Sequence, residues 1–219
     1  LKAKQRKSKS LLDRFLIESL HNLSNLKNIE LENAELNLSE LDNRFENLKK
    51  IQNIFLNCFY GSDKTENSFN NLISNKQTDF SRYNYFHANY LDSIGKNNKA
   101  KQIIEISLKK SPRNLLLNQY KIDLNENRNV QAFNCKKEEH IISEILYITS
   151  NALSAQSIYP LSNFYLNLAK YLNEDFHSYD TLLAENFYKT NNFDTAKKIY
   201  NNLSKKGEAF NWYSSKQIA

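Results

Sequence analysis

Few side chains in this sequence have the type and spacing that catalysis or metal binding requires. The histidines are His21, His87, His140 and His177. Only His140 has an acidic partner at a suggestive spacing, since Glu144 follows four positions later in EEHIISE. A metal site needs several convergent ligands with further support behind them, and two side chains on one helix face do not supply them. We therefore expect His140 and Glu144 to form an exposed i,i+4 pair near a helix start.

Nucleophilic and phosphate-binding chemistry has equally little support. Catalysis by a cysteine needs a histidine beside the thiol, and sequence spacing places no histidine near Cys58 or Cys135. The chain has 3 glycines, and it contains neither the GxxxxGK[ST] nor the GxGxxG loop that cradles phosphates. The sequence therefore predicts a protein that is not an enzyme and that needs no metal or cofactor.

The two cysteines are expected to be small buried apolar residues. Cys58 and Cys135 lie far apart in the sequence and outside any CxxC spacing. A disulfide between them is compatible with the sequence, but nothing in it requires one.

The positive charge of the chain is concentrated at its N-terminus. Five of the 30 basic residues lie in LKAKQRKSKS, residues 1–10, and the remaining 25 face 24 acidic residues. Residues 1–10 have almost nothing to bury, so we predict a basic flexible tail. Contact of this tail with phosphates or anionic lipid is the basis of an alternative function, a helical-repeat protein that binds nucleic acid or a membrane surface.

The composition of the chain favours helices. Its 3 Gly and 2 Pro supply too few turns for a β-sandwich or barrel, and its 13 Tyr and 13 Phe argue against general disorder. No apolar run reaches the roughly 18 residues of a membrane span. No signal peptide is visible, but the sequence begins at Leu1 without an initiator Met, which leaves open that a targeting segment precedes it.

A period of about 34 residues runs through the C-terminal part of the sequence. Ala184 and Ala196 lie twelve positions apart, and each is followed by an aromatic residue, Phe187 or Tyr200. Small residues at this spacing let two antiparallel helices approach closely, while aromatic side chains fill the space beside the crossing. The same template fits the segment one period earlier and the segment around residue 88.

The template assigns packing and turn positions to each repeat. Pro112 is expected to end one helix and to start the next at its first turn. Gly61 and Gly95 lie one period apart, and Asn191 occupies the matching turn position in the last repeat. The predicted repeat-packing residues are Ala88, Leu91, Gly95, Ala100, Ile104, Pro112, Ser150, Leu153, Leu166, Ala169, Ala184, Phe187, Ala196 and Tyr200.

Three segments resemble the tetratricopeptide repeat, and more narrowly the later repeats of a bacterial, alphaproteobacterial-type protein of that family. They are YNYFHANYLDSIGKNNKA, IISEILYITSNAL and FYLNLAKYLNEDFHSYDTLLAENFYKTNNFDTAKKIYNNL. The resemblance covers residues 78–114 and 138–219, but Glu174 and Glu208 stand where the family places proline at helix ends. It implies an all-α fold, a right-handed superhelical solenoid of antiparallel helix hairpins.

The repeat pattern divides the chain into seven segments. They are a tail at 1–10, degenerate N-terminal hairpins at 11–76, a repeat at 77–114, a shortened irregular repeat at 115–137, repeats at 138–176 and 177–209, and the first helix of a further repeat at 210–219. Residues 27–40 alternate in hydrophobicity, which suits a short strand, but we expect helix or loop there. A solenoid cut at residue 219 exposes an apolar face, so we expect further protein or a docking partner beyond it.

The resemblance also implies a binding surface. In such a solenoid the first helix of each hairpin lines the concave side, and a Tyr/Asn pair recurs there in two repeats. Asn can bond to the backbone of an extended peptide, and Tyr offers rigid apolar area with a polar tip. The alternative is that these side chains only join adjacent repeats. The predicted groove residues are Tyr85, Asn89, Asp92, Tyr147, Asn151, Thr181, Glu185 and Tyr188.

These features predict a non-catalytic protein–protein interaction scaffold. Some tetratricopeptide proteins hold a C-terminal carboxylate with Lys and Arg at these groove positions; this sequence has none there, so a neutral or mildly basic peptide is favoured. Nucleic acid is disfavoured because the body is nearly neutral, and self-association through the exposed terminal helix stays open. The resemblance places the protein in a bacterial cell envelope or periplasm if an export signal precedes Leu1, and otherwise in the cytoplasm.

Overall fold

Helices make up every regular element that the structure describes. A computed structural model describes residues 11–74, 79–126, 128 and 132–219, and in these ranges it contains twelve α-helices and two short 3-10 turns but no strand. The all-α prediction is confirmed for this part of the chain. The predicted basic tail, residues 1–10, lies outside the described residues.

The N-terminal third forms four helices. They are α1 (Leu11–Leu23), α2 (Leu31–Ser39), α3 (Glu46–Tyr60) and α4 (Thr65–Ile73). In α3 the buried residues Ile51, Ile54, Phe55 and Cys58 recur at helical spacing, so one face of the helix enters the core. Residues 27–40 contain the end of a 3-10 turn and all of α2, which confirms the helical interpretation of this stretch and excludes the strand.

Six of the remaining eight helices form three pairs, and two stand outside these pairs. They are α5 (Tyr83–Ser93), α6 (Asn97–Lys110), α7 (Leu115–Asn125), α8 (Glu138–Ala155), α9 (Tyr159–Leu172), α10 (Ser178–Lys189), α11 (Phe193–Leu203) and α12 (Glu208–Ile218). Helices α5 and α6, α8 and α9, and α10 and α11 pack as hairpins. In the segment 115–137 the described residues form one helix, α7. Pro112 lies in the turn after α6, but α7 begins only after its N-cap Asn114, so Pro112 does not occupy the first turn of that helix as expected.

One turn geometry recurs after α3, α5, α8 and α10. Gly61, Gly95, Ser157 and Asn191 adopt positive φ angles of 74°, 78°, 61° and 60°. The amide N–H of each following residue donates to a carbonyl five positions earlier, at 2.8–2.9 Å, as in a Schellman motif. The predicted phase of the turns is therefore confirmed, and Ser157, one period before Asn191, completes the set.

The small residues that the repeat pattern predicts in each hairpin are buried. Ala184 and Ala196 form a buried cluster with Tyr200, and Ala88 and Ala100 are fully buried. In the hairpin of α8 and α9 the pair consists of serines, and the Ser162 hydroxyl donates to the Ser150 carbonyl at 2.8 Å. Of the predicted packing residues, Gly95 and Pro112 are exposed in turns, Phe187 is half-buried, and the others are buried.

Contacts between helices extend beyond neighbours in the chain. Helix α12 packs on α7 as well as on α11, while α1 and α3 both touch α8. The main core is one connected cluster of buried side chains whose first member in the sequence is Phe15 and whose last is Leu183. A simple solenoid has contacts between neighbouring repeats alone. The contact between α7 and α12, which are distant in the sequence, is one that the periodicity did not predict.

A disulfide joins Cys58 at the end of α3 to Cys135 in the segment before α8. Cys58 is buried as expected, whereas Cys135 is half-buried, and the disulfide that the sequence left open is formed. Their Cα atoms lie 5.9 Å apart, within the range that a disulfide requires. Lys136 strengthens the same junction, since its ammonium donates to the Phe59 carbonyl at 2.9 Å.

Candidate functional site

A charged cluster is built around the buried side chain of Glu144. Its carboxylate lies on α8 and is completely buried, and it accepts two hydrogen bonds of 2.7 Å from the Arg82 guanidinium. The guanidinium also donates to Ser178 at 3.1 Å and lies 3.9 Å from the centre of the Tyr147 ring. Burial raises the pKa of the Glu144 carboxyl, and the facing Arg82 opposes that rise.

The predicted exposed pair of His140 and Glu144 is therefore wrong. The imidazole of His140 is buried and accepts the backbone N–H of Asn134 at 3.0 Å. Both residues are buried because α8 has a wide buried face and contacts α9, α1 and α3. The cluster of Arg82 and Glu144 connects the starts of α5 and α10 to α8, which is an internal structural role.

The first set of predicted groove residues lies against α7. Tyr85 and Asn89 are both buried, and the Tyr85 ring packs against Tyr120 and Phe176 at 5.2 and 5.5 Å between centroids. The Tyr120 hydroxyl donates to the Asp92 carboxylate at 3.1 Å. These contacts match the alternative role, in which the groove positions join neighbouring elements, and little of Tyr85 or Asn89 is left for a partner.

The other groove residues differ in exposure. Tyr147 is half-buried beneath Arg82, whereas Asn151, one turn later on α8, is exposed. The Thr181 hydroxyl donates to the Ser178 carbonyl at 2.7 Å, and Glu185 accepts the Tyr213 hydroxyl at 2.6 Å. Tyr188 is exposed, with its ring 5.3 Å from Phe193. Asn151 and Tyr188 are thus the most accessible of the eight predicted positions.

A cleft of about 330 Å³ opens between α7, α12 and the start of α10. Aromatic rings form much of its wall, and charged groups surround them. Its lining comprises Tyr85, Leu116, Gln119, Tyr120, Asp123, Arg128, Ala132, Asp175, Phe176, His177, Lys206 and Phe210. Tyr85 is the predicted groove residue that the structure brings to this cleft.

Gln119 organises the floor of the cleft. Its side-chain amide donates to the Asp123 carboxylate at 2.8 Å, and its oxygen accepts the backbone N–H of Ala209 at 3.1 Å. The second bond satisfies one of the free amides at the start of α12. One side chain of α7 thereby positions both an acidic group of the cleft and the helix that closes it.

The cleft carries charges of both signs. Burial raises the pKa of the Asp123 carboxyl, while Gln119 and Arg128 oppose that rise. Burial also lowers the pKa of His177, so its imidazole is neutral at pH 7 and can donate and accept hydrogen bonds. Lys206 and Asp175 are exposed at the rim. An aromatic wall with mixed polar groups suits an amphipathic side chain of a partner rather than a strongly charged ligand.

The cleft was missed at the sequence level because its residues come from distant segments. Gln119, Tyr120 and Phe210 lie on α7 and α12, where the repeat pattern fits poorly or ends. Within the described residues, no cluster of three or more His, Cys, Asp or Glu side chains is arranged to hold a metal ion.

None of the described helices combines the length and the hydrophobicity needed to cross a bilayer. Comparisons of the chain with protein-family models, with curated proteins and with solved structures find no match.

Proposed function

We propose that this chain is a non-catalytic protein-interaction scaffold whose cleft between α7 and α12 holds an anchoring side chain of a peptide or protein partner. The observation that carries the proposal is the cleft, whose lining combines largely buried aromatic rings with accessible neutral and charged hydrogen-bonding groups. Interfaces gain most of their affinity from a few aromatic or Arg side chains buried in such pockets. A segment of low net charge fits it best, because Asp123 and Asp175 line the cleft together with Arg128 and Lys206.

We further propose that residues 77–114 and 138–209 are tetratricopeptide-like repeats of a right-handed helical solenoid. The recurring turns at Gly95, Ser157 and Asn191 support this proposal, as do the small residues at each hairpin crossing. The shortened segment that contains α7 interrupts the series, and α12 packs against it. The cleft therefore lies where the repeat pattern breaks, and loops or elements at such irregular positions often carry function.

The disulfide supports a location in an oxidising compartment. Disulfides persist in the periplasm and at cell surfaces, and reducing enzymes remove them in most cytoplasms. The bond between Cys58 and Cys135 therefore favours the cell envelope over the cytoplasm, in line with the bacterial origin that the repeat resemblance suggests.

The binding proposal is tested with peptides selected from a random display library on the immobilised chain. Ala132→Trp fills the cleft and is expected to weaken a selected peptide about tenfold or more. Lys206→Glu replaces a positive charge at the rim of the cleft with a negative one. This variant is expected to bind a basic peptide more tightly and an acidic peptide more weakly than the original chain does.

Lys198→Glu on the exposed side of α11 makes the same change of charge away from the cleft and serves as the control. Circular dichroism checks that all variants remain folded. The cleft would be ruled out if the peptides bind Ala132→Trp and Lys206→Glu with the affinity of the original chain. Loss of binding in Asn151→Ala would then place the site on α8.

A further inference from the structure

Helix α9 is apolar on two opposite faces. Ser162, Leu166 and Ala169 are buried against the rest of the hairpin. On the outer face, Leu161, Phe164, Leu168 and Tyr171 are 38%, 56%, 38% and 84% exposed. We call these four residues the outer stripe. A helix that is hydrophobic all round is normally buried all round, so the outer stripe has the composition of a covered surface.

The spacing of the outer stripe is symmetric. Its residues are separated by three, four and three positions, the pattern of a helix–helix seam. Read in the opposite direction the spacing is unchanged, and its midpoint falls at residue 166. Two copies of α9 that meet antiparallel about that point place Phe164 beside Leu168 of the second copy, and Leu161 beside Tyr171. Large and medium side chains then alternate along the seam, which favours close packing.

From this symmetry we infer that the chain forms a homodimer with two-fold symmetry through the outer stripes of α9. An interface of this kind uses the same patch on both copies, so the patch must be complementary to itself. The palindromic spacing meets that requirement directly.

The charge distribution along α9 agrees with a second copy as the occupant. Lys170 is the single charged residue of the helix in the sequence, and its ammonium pairs with Asp180 on α10 rather than lying on the stripe. Two identical charged surfaces would repel each other, whereas two neutral ones meet without that cost. The side chain that flanks the stripe, Asn167, is polar and uncharged, and its amide bonds to the Asn163 carbonyl at 2.8 Å.

The area of the stripe is sufficient for a specific dimer. The four exposed side chains present on the order of 500 Å² of accessible surface, near the upper limit of the apolar patches that monomers leave uncovered. Two such patches bury about 1,000 Å² when they meet, the lower bound of a specific interface. We therefore expect a reversible dimer with a dissociation constant in the micromolar range, of the order of 1–100 μM.

Sedimentation equilibrium of the chain at concentrations of about 1–100 μM measures its association state. Phe164→Asp places a charge at the centre of the seam and is expected to raise the dimer dissociation constant about 30-fold or more. Phe193→Asp is the matched control, because Phe193 is 53% exposed on α11 and lies outside the stripe. That variant is expected to dimerise like the original chain.

Cysteine pairs test the antiparallel arrangement. The two native cysteines are bonded to each other, so introduced thiols have no native partner. The double variant Leu161→Cys/Tyr171→Cys is expected to form covalent dimers on oxidation. Neither single variant is expected to do so, because equivalent residues are about 15 Å apart across the two-fold axis.

Three results would overturn the homodimer. They are a chain that stays monomeric at about 100 μM, a dimer that survives Phe164→Asp, and covalent dimers from the single cysteine variants as readily as from the double one. A monomer that instead cosediments with phosphatidylcholine vesicles would assign the stripe to a lipid surface and likewise exclude the homodimer.

Discussion

At the scale of single residues, the bidentate pair of Arg82 and Glu144 requires its partners to match closely. Glu144 has no exposed surface, so the pair is stable only if the two charges and the Ser178 hydroxyl satisfy one another. The guanidinium also lies over the rings of Tyr147, Phe176 and Phe86. Loss of Arg82 would leave the fully buried Glu144 carboxylate without a countercharge, while loss of Glu144 would leave Arg82, whose side chain is 20% exposed, only partly solvated.

Glu144→Gln is expected to lower the free energy of unfolding by about 3 kcal/mol, because Arg82 loses its countercharge in a site that is largely shielded from solvent. Urea denaturation followed by circular dichroism measures the change. Glu139→Gln, at the start of the same helix, removes the same charge from a side chain that is 47% exposed. This control is expected to cost less than about 0.5 kcal/mol. Equal losses in the two variants would show that burial of the pair has no energetic consequence.

The double variant Arg82→Leu/Glu144→Leu separates the charges from the packing. Removal of both charges relieves the desolvation cost, so the double variant is expected to be more stable than Glu144→Gln. A double variant less stable than the single one would mean that the ion pair itself contributes a net stabilisation.

At the scale of elements, the contact between α7 and α12 determines the shape of the cleft. The first turn of α12 begins at Glu208, directly after Gly207, and its backbone approaches the side chain of Gln119. A Cβ atom on Gly207 would lie 2.3 Å from the Gln119 side-chain oxygen. Because Gln119 is held by both Asp123 and Ala209, it cannot move without breaking one of these bonds.

Gly207→Ala is therefore expected to displace α12 and to cost about 1–3 kcal/mol of stability. Trp212 is the single tryptophan of the chain and lies on α12, so its fluorescence should change with the displacement. Gly95→Ala is the control. Gly95 has φ +78° but no atom within 4 Å of an added Cβ, so this variant carries a backbone cost of about 1 kcal/mol and leaves the fluorescence unchanged. Identical spectra for the two variants would contradict the close approach of α12 to α7.

At the scale of the whole molecule, the disulfide connects two distant parts of the chain. Cys58 and Cys135 are separated by 77 residues, a loop that includes the hairpin of α5 and α6 and the helix α7. Closure of a loop of this length removes many conformations from the unfolded chain. The bond also holds the segment before α8 close to the end of α3.

Reduction of the disulfide is expected to lower the free energy of unfolding by about 2–5 kcal/mol. Urea denaturation with and without tris(2-carboxyethyl)phosphine measures the difference. In the variant Cys58→Ala/Cys135→Ala the reductant is expected to have no effect, which controls for the reagent itself. A native chain that is equally stable before and after complete reduction would refute this stabilising role.

Much of the fold follows from local patterns in the sequence. The small residues Ala184 and Ala196 and the turn residues Gly61, Gly95 and Asn191 predicted where helices meet and where they end. Such positions depend on contacts within one hairpin, so the sequence carries them directly. The exposed side chains were harder to place: Tyr85 and Asn89 fit the same template as Asn151, yet the first two are buried by α7 and its neighbours.

The sequence by itself determined that this chain is helical, where its hairpins turn and which small residues lie at their crossings. These properties depend on backbone conformation and on side chains a few turns apart. The tertiary structure alone decided the partner of Glu144, the bond between Cys58 and Cys135, and the cleft that α12 closes over α7. Each of these brings together residues dozens of positions apart, and the free energy of such contacts depends on how whole helices pack.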